Sequence, residues 1–435
     1  MSLLMDHNDY TACSLREQER HGMENLSRSA VAAYMSYAIQ STGQAIAWQF
    51  VTHFVKHGLL VDSFIILTLV WSAPAFVTMG AVNLWGSVSD RVGRRKPFMV
   101  LGFIGYASTF FFYSFVTDVV QFLVIAMVGA AFSAAAIPAG QAYLTTKTVK
   151  KGERLGFFLV VQSGGWFFGA LASGLLYNIV GMLTLFRVSA ALCVAATALS
   201  FFAVRDLPVD KTIARPKVSF WELIGRPGMA RLALAASLSA IGIYAVSYGV
   251  AIIIIDELHG EAAYVGYANS GATLIAALIT GYVGRLIDRH GSTPILATAY
   301  LSYCLYAVGF AIATDPVIAM VLYMLPIYAL AQTGAQSFAA KVSSDEERGT
   351  AMGIVNAAQN AGNAIGPIVG GFFAQFVFAG LLQPVSWVTL SFNLVALMLA
   401  YSLYGIEKQA RRKKDSFPSL EIPAQPTVNS NGQVL

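Results

Sequence analysis

Long uncharged stretches separated by short charged clusters are the main pattern of this chain. About 20 apolar residues in a helix cross the roughly 30 Å hydrocarbon core of a bilayer. Ten stretches have about that length: Ser29–Val55, Ser63–Ser89, Pro97–Thr117, Val119–Thr146, Leu155–Phe186, Val188–Val204, Leu232–Ile255, Ala262–Gly284, Gly291–Thr314 and Pro316–Ala340. Another, Gly349–Ile406, is long enough for two helices joined by a turn at Gly380–Pro384. The pattern therefore predicts twelve membrane spans.

These spans are predicted to be helices, because lipid cannot satisfy an open backbone and the stretches are too long and too uniformly apolar for barrel strands. Composition agrees with an all-α integral membrane protein. Of 435 residues, 56% are apolar and only 12% are charged, where soluble domains carry about 25% charged residues. This balance excludes nearly every soluble enzyme class. The cysteines Cys13, Cys193 and Cys304 are interpreted as small apolar fillers.

Lysine and arginine are unevenly distributed between the predicted loops. With a cytoplasmic amino terminus, 26 of the 28 basic residues lie on the inner side, all except Lys56 and Arg187. This bias predicts a plasma-membrane protein with both termini in the cytoplasm. The net charge of +5 then faces the anionic inner leaflet rather than a nucleic acid.

A polar, proline-containing segment divides the spans into two sets of six. The predicted organisation is a cytoplasmic tail (1–28), a six-helix bundle (29–204), a cytoplasmic linker (205–231), a second six-helix bundle (232–406) and a disordered cytoplasmic tail (407–435). Asp90 and Gly93 recur 198 residues later as Asp288 and Gly291. Gln162, Gly165 and Gly169 recur 197 residues later as Gln359, Gly362 and Gly366. Such repeats indicate a duplicated unit, as in secondary transporters.

The loop from Gly86 to Lys96 reads G-x-x-x-D-R-x-G-R-R-K. It resembles the signature loop of the major facilitator superfamily, and the resemblance extends over Ser29 to Ile406. It implies the fold of that family, two pseudo-symmetric six-helix bundles, and secondary transport by alternating access. A second resemblance, of Gly362-x-x-x-Gly366-Pro367-x-x-Gly370 to a motif of drug/proton antiporters, lies in span eleven, whereas the family carries that motif in span five. The span-five copy lacks the proline, which weakens an antiporter assignment.

The residues of the signature loop and its degenerate copy are predicted to form a conformational gate: Gly86, Asp90, Arg91, Gly93, Arg94, Asp288, Arg289 and Gly291. The resemblance implies that Asp90 meets the amino end of span eleven, near Gly349, where a helix dipole favours an anion. Such a latch would hold the two halves together on the inside. The alternative is that these charges act only as a topology signal.

The small residues of span eleven, Gly362, Gly366, Pro367 and Gly370, have two interpretations. Small residues at four-residue spacing allow close helix packing. Proline removes a backbone hydrogen bond, so the same segment could instead bend during transport.

Polar and aromatic side chains at helical spacing predict a central cavity between the two halves. The predicted lining residues are Tyr37, Gln40, Gln44, Gln162, Trp166, Tyr244, Tyr248, Asn269, Tyr328, Gln332, Asn356, Gln359 and Asn360. The alternative is that these side chains only join helices through hydrogen bonds.

No aspartate or glutamate lies deep in a predicted span. The candidate coupling groups are therefore His53, Asp62, Arg187 and Asp256, all near the outer ends of spans, and Arg187 is the one expected to be buried. Either a proton moves through such a rim group, or transport is facilitated diffusion. The alternative is that all four are solvated loop charges.

The sequence thus predicts a monomeric secondary transporter that exports a small organic solute. Uptake of a sugar-like or organic-acid metabolite is the second interpretation, and a transport-dead membrane sensor is the third. No nucleotide-binding, nucleophile or zinc pattern occurs. No enzyme activity, cofactor or metal site is therefore predicted.

Overall fold

The computed structural model describes residues 7–146, 151–206, 220–344 and 347–416, and all regular elements within them are helices. The first half contains α1 (His7–Trp48), α2 (Val51–His57), α3 (Phe64–Val92), α4 (Lys96–Tyr113), α5 (Val119–Ser133), α6 (Ala136–Thr145), α7 (Lys151–Val180) and α8 (Met182–Ala203). The connecting segment contains α9 (Phe220–Ile224). The second half contains α10 (Met229–Ser247), α11 (Val250–Ile252), a π-helical turn (Ile253–Glu257), α12 (Ala262–His290), α13 (Ser292–Ile312), α14 (Pro316–Tyr323), α15 (Ile327–Val342), α16 (Arg348–Phe376), a 3₁₀ turn (Gln383–Val385) and α17 (Ser386–Ser416).

Nine of the described helical segments are long and apolar enough to cross a membrane. The other three predicted spans correspond to α1, α4 and α16. In α1 the apolar residues follow a polar first half, and the only 18-residue window of α4 includes Lys96 and Pro97. In α16 several amide side chains lower the hydropathy. Each of the twelve predicted spans thus corresponds to one described helix or to a pair of helices.

The first and fourth spans of each half are broken helices. The breaks lie between α1 and α2, between α5 and α6, between α10 and α11, and between α14 and α15. Pro138 and Pro326 explain two of them, because proline has no N–H to donate to the carbonyl four residues earlier. Gly249 lies at a third. Discontinuous helices are typical of substrate sites in transporters.

The turn between spans five and six lies at Gly181, not at Arg187. Gly181 has a φ of 74°, a conformation that favours glycine, and it separates α7 from α8. Arg187 is therefore inside α8, on its exposed face. The expectation that Arg187 is the buried charge of the set is wrong for this reason.

The ends of the chain are also more helical than expected. α1 begins at His7, well before the predicted boundary at Ser29, and α17 continues to Ser416. Glu407, the first residue of the predicted disordered tail, is buried with 4% of its surface exposed. Residues 417–435 lie outside the described residues.

Within each half the first span packs closely on glycines of the fifth span, which are Gly165 and Gly169 in the first half and Gly362 and Gly366 in the second. A Cβ on Gly165 would lie 2.5 Å from the Ala38 carbonyl oxygen, and one on Gly362 would lie 2.5 Å from the Ala240 Cβ. In both halves these glycines let two helix backbones approach each other closely. This is the packing role that was one of the two interpretations of the glycines in span eleven.

Candidate functional site

A cavity of about 520 Å³ lies between the two halves. It is bordered by the breaks of the first, fourth, seventh and tenth spans, where Trp48, Ser133, Tyr248 and Tyr323 line it. Residues on both sides of the pseudo-symmetric molecule thus contribute to one space. This is the position expected for a site at the interface of two repeats.

The cavity wall is aromatic and uncharged. Among its described lining residues none is an aspartate, glutamate, lysine, arginine or histidine. The aromatic lining residues are Trp48, Trp71, Tyr106, Phe110, Tyr113, Trp166, Tyr244, Tyr248 and Tyr323. The polar ones are Gln44, Gln49, Thr78, Thr109, Ser133, Ser247, Asn269 and Asn363. Such a wall offers apolar stacking surfaces and hydrogen-bonding groups but no counter-charge.

Three buried polar atoms of this wall have no hydrogen-bond partner in the protein: Trp48 Nε1, the Tyr248 hydroxyl and Asn363 Oδ1. Buried polar groups are normally paired, because leaving one unpaired costs free energy. The first half thus offers a donor, and the second half offers a hydroxyl and an acceptor. A bound solute or water can satisfy all three.

One side of the cavity is sealed by a chain of two hydrogen bonds, the second of which joins the two halves. Trp71 Nε1 donates to Thr52 Oγ1 at 2.7 Å, and the Thr52 hydroxyl donates to the Tyr248 carbonyl at 2.5 Å. The rings of Trp48 and Trp71 pack with centroids 4.9 Å apart. Residues of the first span therefore hold the break of the seventh span.

Five of the predicted cavity residues line the cavity: Gln44, Trp166, Tyr244, Tyr248 and Asn269. Two others lie outside it, in the packed interior of the first half. Tyr37 is fully buried, donates to the Ala136 carbonyl and packs against Phe103 and Phe158. Gln40 donates to Gln44 Oε1 at 2.9 Å, so it positions a lining residue instead of lining the cavity.

The remaining predicted residues lie outside the cavity, toward the end of the molecule that holds the signature loop. Gln332 Nε2 and Gln336 Nε2 both donate to Asn356 Oδ1, at 3.2 and 3.1 Å. These hydrogen bonds join α15 to α16, which is the alternative role predicted for the amide side chains. Tyr328, Asn356 and Asn360 are exposed, and Gln162 and Gln359 are half-buried.

Several lining residues were not predicted, among them Trp71, Tyr106, Tyr113 and Tyr323. Trp71, Tyr106 and Tyr113 come from the second and third spans, where the sequence shows no polar stripe, and Tyr323 lies in the tenth span before the stripe that begins at Tyr328. For Tyr323 and for Ser133, another lining residue, the available signal was a helix break. Pro326 marks the break beside Tyr323, and Pro138 marks the one beside Ser133.

The end with the signature loop (residues 86–96 and 284–292) is called the signature end here. Gly93, with a φ of 72°, closes α3, and Asp90 pairs with Arg95 at 2.6 Å. Asp90, Arg91 and Arg94 are exposed, as are Asp288 and Arg289 of the second copy. Asp90 thus pairs within its own loop here, and its contact with the start of α16 stays a prediction.

The signature end also shows a repeated helix cap. Asp206, which follows the sixth span, accepts from the backbone N–H of Lys96 at 3.4 Å. Glu407, which ends the twelfth span, accepts from the backbone N–H groups of Ser292 and Thr293 at 2.8 and 2.7 Å. A carboxylate therefore caps the third span of each half, where the helix dipole favours an anion. Lys341 also pairs with Glu407, at 3.1 Å.

The other end, formed by α2, the π-helical turn and residues 377–382, is called the latched end. Here Asp256 of the second half accepts from Lys56 Nζ at 2.7 Å and from His57 Nε2 at 2.8 Å, both in the first half. Burial opposes ionisation of Asp256, but the hydrogen bonds from His53, Lys56 and His57 outweigh it and hold the pKa of Asp256 well below its ordinary value. Asp62, another predicted coupling residue, is exposed.

Further contacts join the halves at the latched end. Ser63 donates to Gln375 Oε1 at 3.0 Å. Gly174 and Gly266 meet so closely that a Cβ on Gly174 would lie 2.6 Å from the Gly266 Cα. Among the described residues, a Cβ on Gly86, Gly284 or Gly349 at the signature end would meet nothing within 4 Å. The halves therefore meet closely at the latched end, whereas these three glycines at the signature end face open space.

A family model described as Major Facilitator Superfamily matches residues 26–332 and, in a second match, 232–432. The chain belongs to the major facilitator superfamily. The resemblance drawn from the signature loop is thereby confirmed, as is the fold class. Like the family, this chain is a multi-pass membrane transporter of small molecules.

Similar proteins have different transport roles. An uncharacterized transporter of this family from Methanocaldococcus jannaschii is 23% identical over 362 residues, which cover 79% of this chain and 88% of that protein. The multidrug resistance protein MdtG of Salmonella typhimurium is 26% identical over 336 residues, which cover 72% of this chain and 82% of MdtG. The crystal structure of the nucleoside transporter NupG shares the fold with a TM-score of 0.73 and 15% identity, covering 87% of this chain and 98% of NupG.

Proposed function

We propose that this major facilitator is a secondary transporter that exports a small, uncharged organic solute through the central cavity by alternating access. The observation that carries the proposal is the neutral aromatic wall between the halves, into which Trp48, Tyr248 and Asn363 bring unpartnered polar atoms. A solute bound there contacts both halves, so its binding can be coupled to their relative movement.

The proposed orientation places the signature end in the cytoplasm of a cell with this protein in its plasma membrane. The exposed Arg91 and Arg94 then lie at the anionic inner leaflet. In this orientation the structure is open to the cytoplasm and closed outside. For the opposite state, we propose that the latched end separates and that Asp90 meets the start of α16.

The proposed substrate class follows from the lining residues. A charged solute would lose its hydration and find no counter-charge among them, which is costly. Trp48, Trp71 and Trp166 offer aromatic faces, which stack well on flat rings. A neutral aromatic or amphipathic molecule suits this cavity best.

Export is favoured by the similarity to MdtG, whose name describes drug resistance. Uptake of a hydroxylated metabolite is the second candidate, because Gln44, Asn269 and Asn363 supply amide groups that bind hydroxyls. Proton coupling, with facilitated diffusion as its alternative, stays a prediction.

Transport of a panel of neutral aromatic compounds and polar metabolites, measured in right-side-out and everted membrane vesicles, tests the proposal. We expect uptake of a neutral aromatic compound into everted vesicles, which corresponds to export from cells. Accumulation of a polar metabolite only in right-side-out vesicles would replace export by uptake. A solute that binds the purified protein but crosses neither kind of vesicle would indicate the sensor interpretation and overturn the proposal.

A further inference from the structure

The latched end brings together two histidines and a carboxylate from different halves. His53 and His57 lie four residues apart on α2, so both side chains project from one face of this helix. Asp256 comes from the π-helical turn of the second half. Within the described residues, one ligand atom from each of these three side chains lies within 4.8 Å of the other two.

We propose that His53, His57 and Asp256 form a site for a divalent transition-metal ion, with Zn²⁺ as the probe. Zinc takes imidazole nitrogen at about 2.0–2.1 Å and carboxylate oxygen at about 2.0–2.2 Å in a tetrahedral arrangement, so its ligand atoms are roughly 3.4 Å apart. His53 Nε2 lies 3.4 Å from Asp256 Oδ1, and His57 Nε2 lies 2.8 Å from Oδ2. Small side-chain rotations therefore suffice to place three ligands around one ion.

A second contact orients one of the ligands. His53 Nδ1 is hydrogen-bonded to the Tyr177 hydroxyl at 2.7 Å, which leaves Nε2 directed at Asp256. Histidines that bind metals almost always use their other ring nitrogen in this way. The rings of His53 and His57 also lie with their centroids 4.5 Å apart, so both are close to the same carboxylate.

Lys56 is the competitor at this site. Its Nζ lies 2.7 Å from Asp256 Oδ2, so its positive charge pairs with the negative charge of that carboxylate. A metal ion must displace this ammonium group from that oxygen, so Lys56 weakens metal binding. The lysine side chain is 23% exposed and His57 is 51% exposed, so the ion can enter and the ammonium group can move into water.

An ion at this site would join the two halves. His53 and His57 belong to the first half and Asp256 belongs to the second. An ion bound by these three side chains therefore bridges the halves. Metal binding therefore stabilises the conformation in which the latched end is closed. It acts from the side of the membrane opposite the signature end.

Thermal unfolding of the purified full-length protein, carrying no polyhistidine tag, tests the site with zinc chloride against magnesium chloride. We expect zinc to raise the melting temperature in a saturable way and magnesium to leave it unchanged. His53→Ala and His57→Ala each abolish the zinc-dependent rise. His259→Ala, which removes an exposed histidine of the adjoining loop, retains it.

Two further variants separate a built site from a chance cluster. Tyr177→Phe is expected to weaken zinc affinity by about tenfold, the lower range for loss of a group that orients a ligand. Lys56→Gln is expected to strengthen it, because the competing ammonium group is gone. A zinc response that is absent from the wild-type protein, or unchanged in both histidine variants, overturns the proposal.

The absorption spectrum of bound Co²⁺ provides a readout that does not depend on the stability of the variants. We expect the visible bands of a tetrahedral cobalt site in the wild-type protein and in His259→Ala, and their absence from His57→Ala. Equal spectra in all three proteins would contradict the site. Neither measurement requires transport, so the outcome is independent of the proposed substrate and direction.

Discussion

At the scale of single residues, the cavity combines apolar stacking surfaces with a few polar atoms that the protein itself leaves unpaired. Tyr248 shows this best. Its side chain is buried with 4% of its surface exposed, its carbonyl accepts from Thr52, and its hydroxyl has no protein partner. The carbonyl of Tyr248 thus bonds to the first half at the latched end, while its hydroxyl is available to bind a solute.

The first prediction concerns that hydroxyl. Tyr248→Phe keeps the ring and removes one hydrogen-bonding group, which is worth about 0.5–1.5 kcal/mol. We expect substrate affinity to fall by roughly three- to tenfold, with melting temperature unchanged or slightly raised. Binding to the purified protein measures this, with Tyr404→Phe, at an exposed tyrosine of α17, as the matched control. Equal losses in both variants would contradict a role for Tyr248 in the cavity.

Residue identity alone could not separate cavity residues from core residues. Tyr37 and Tyr244 both lie on polar and aromatic stripes, yet Tyr37 packs against Phe103 and Phe158 while Tyr244 lines the cavity. The difference depends on which helix faces each tyrosine, and that is a tertiary property. Local hydropathy contains no information about it.

At the scale of elements, close glycine contacts have two separate tasks. Gly165 and Gly362 pack the first and fifth spans within each half, whereas Gly174 and Gly266 bring α7 of one half onto α12 of the other. The first kind of contact stabilises the six-helix bundle of each half. The second kind joins the two halves at the latched end.

The second prediction separates these tasks within α16. Gly362→Ala puts a Cβ against Ala240 and the Ser237 carbonyl, so we expect it to destabilise the folded protein by about 1–3 kcal/mol. Gly353→Ala, in the same helix but with nothing within 4 Å of its Cβ position, is the control. Thermal unfolding measures both. Equal melting temperatures would contradict the packing assignment.

The third prediction concerns Gly174. A Cβ there would clash with the Gly266 backbone, so Gly174→Ala is expected to disfavour closure of the latched end while each half stays folded. Gly164→Ala in the same helix meets nothing and serves as the control. Labelling of a cysteine at Gln49, in the cavity, measures access from the latched end. Labelling should become faster in the first variant only, and unchanged labelling would show that this contact is not a closure point.

The fourth prediction tests bending of α16. Pro367 lies inside that helix and lines the cavity. If the helix bends there during transport, Pro367→Ala should lower turnover several-fold without lowering the melting temperature. Unchanged transport by a folded Pro367→Ala protein would leave packing as the only role of this segment.

The sequence predicted the elements better than their interruptions. Uncharged length is a local property that the bilayer itself requires, so the spans followed directly from it. The turn between the fifth and sixth spans was misplaced because Arg187 was taken as its marker, whereas Gly181 makes the turn through its positive φ. The helix breaks near Pro138 and Pro326 could have been predicted from these prolines, and both breaks border the cavity.

At the scale of the whole molecule, the two halves repeat each other but their two ends do not. Hydrogen bonds that join the halves at the latched end include those from Lys56 and His57 to Asp256 and from Ser63 to Gln375. At the signature end, the Asp90–Arg95 ion pair stays within the first half, and Arg226–Glu347 joins the connecting segment to the second half. We propose that these two ends open in turn around the neutral cavity.

The most direct test is a pair of distance measurements between spin labels, in a protein with Cys13 replaced by serine. One label pair, at Asp62 and Glu261, reports the latched end, and the other, at Lys151 and His290, reports the signature end; all four positions are exposed. Asp256→Asn weakens the latch and leaves the signature end untouched. We predict that it lengthens the first distance and shortens the second. Distances that stay unchanged, or that lengthen together at both ends, would contradict alternating access.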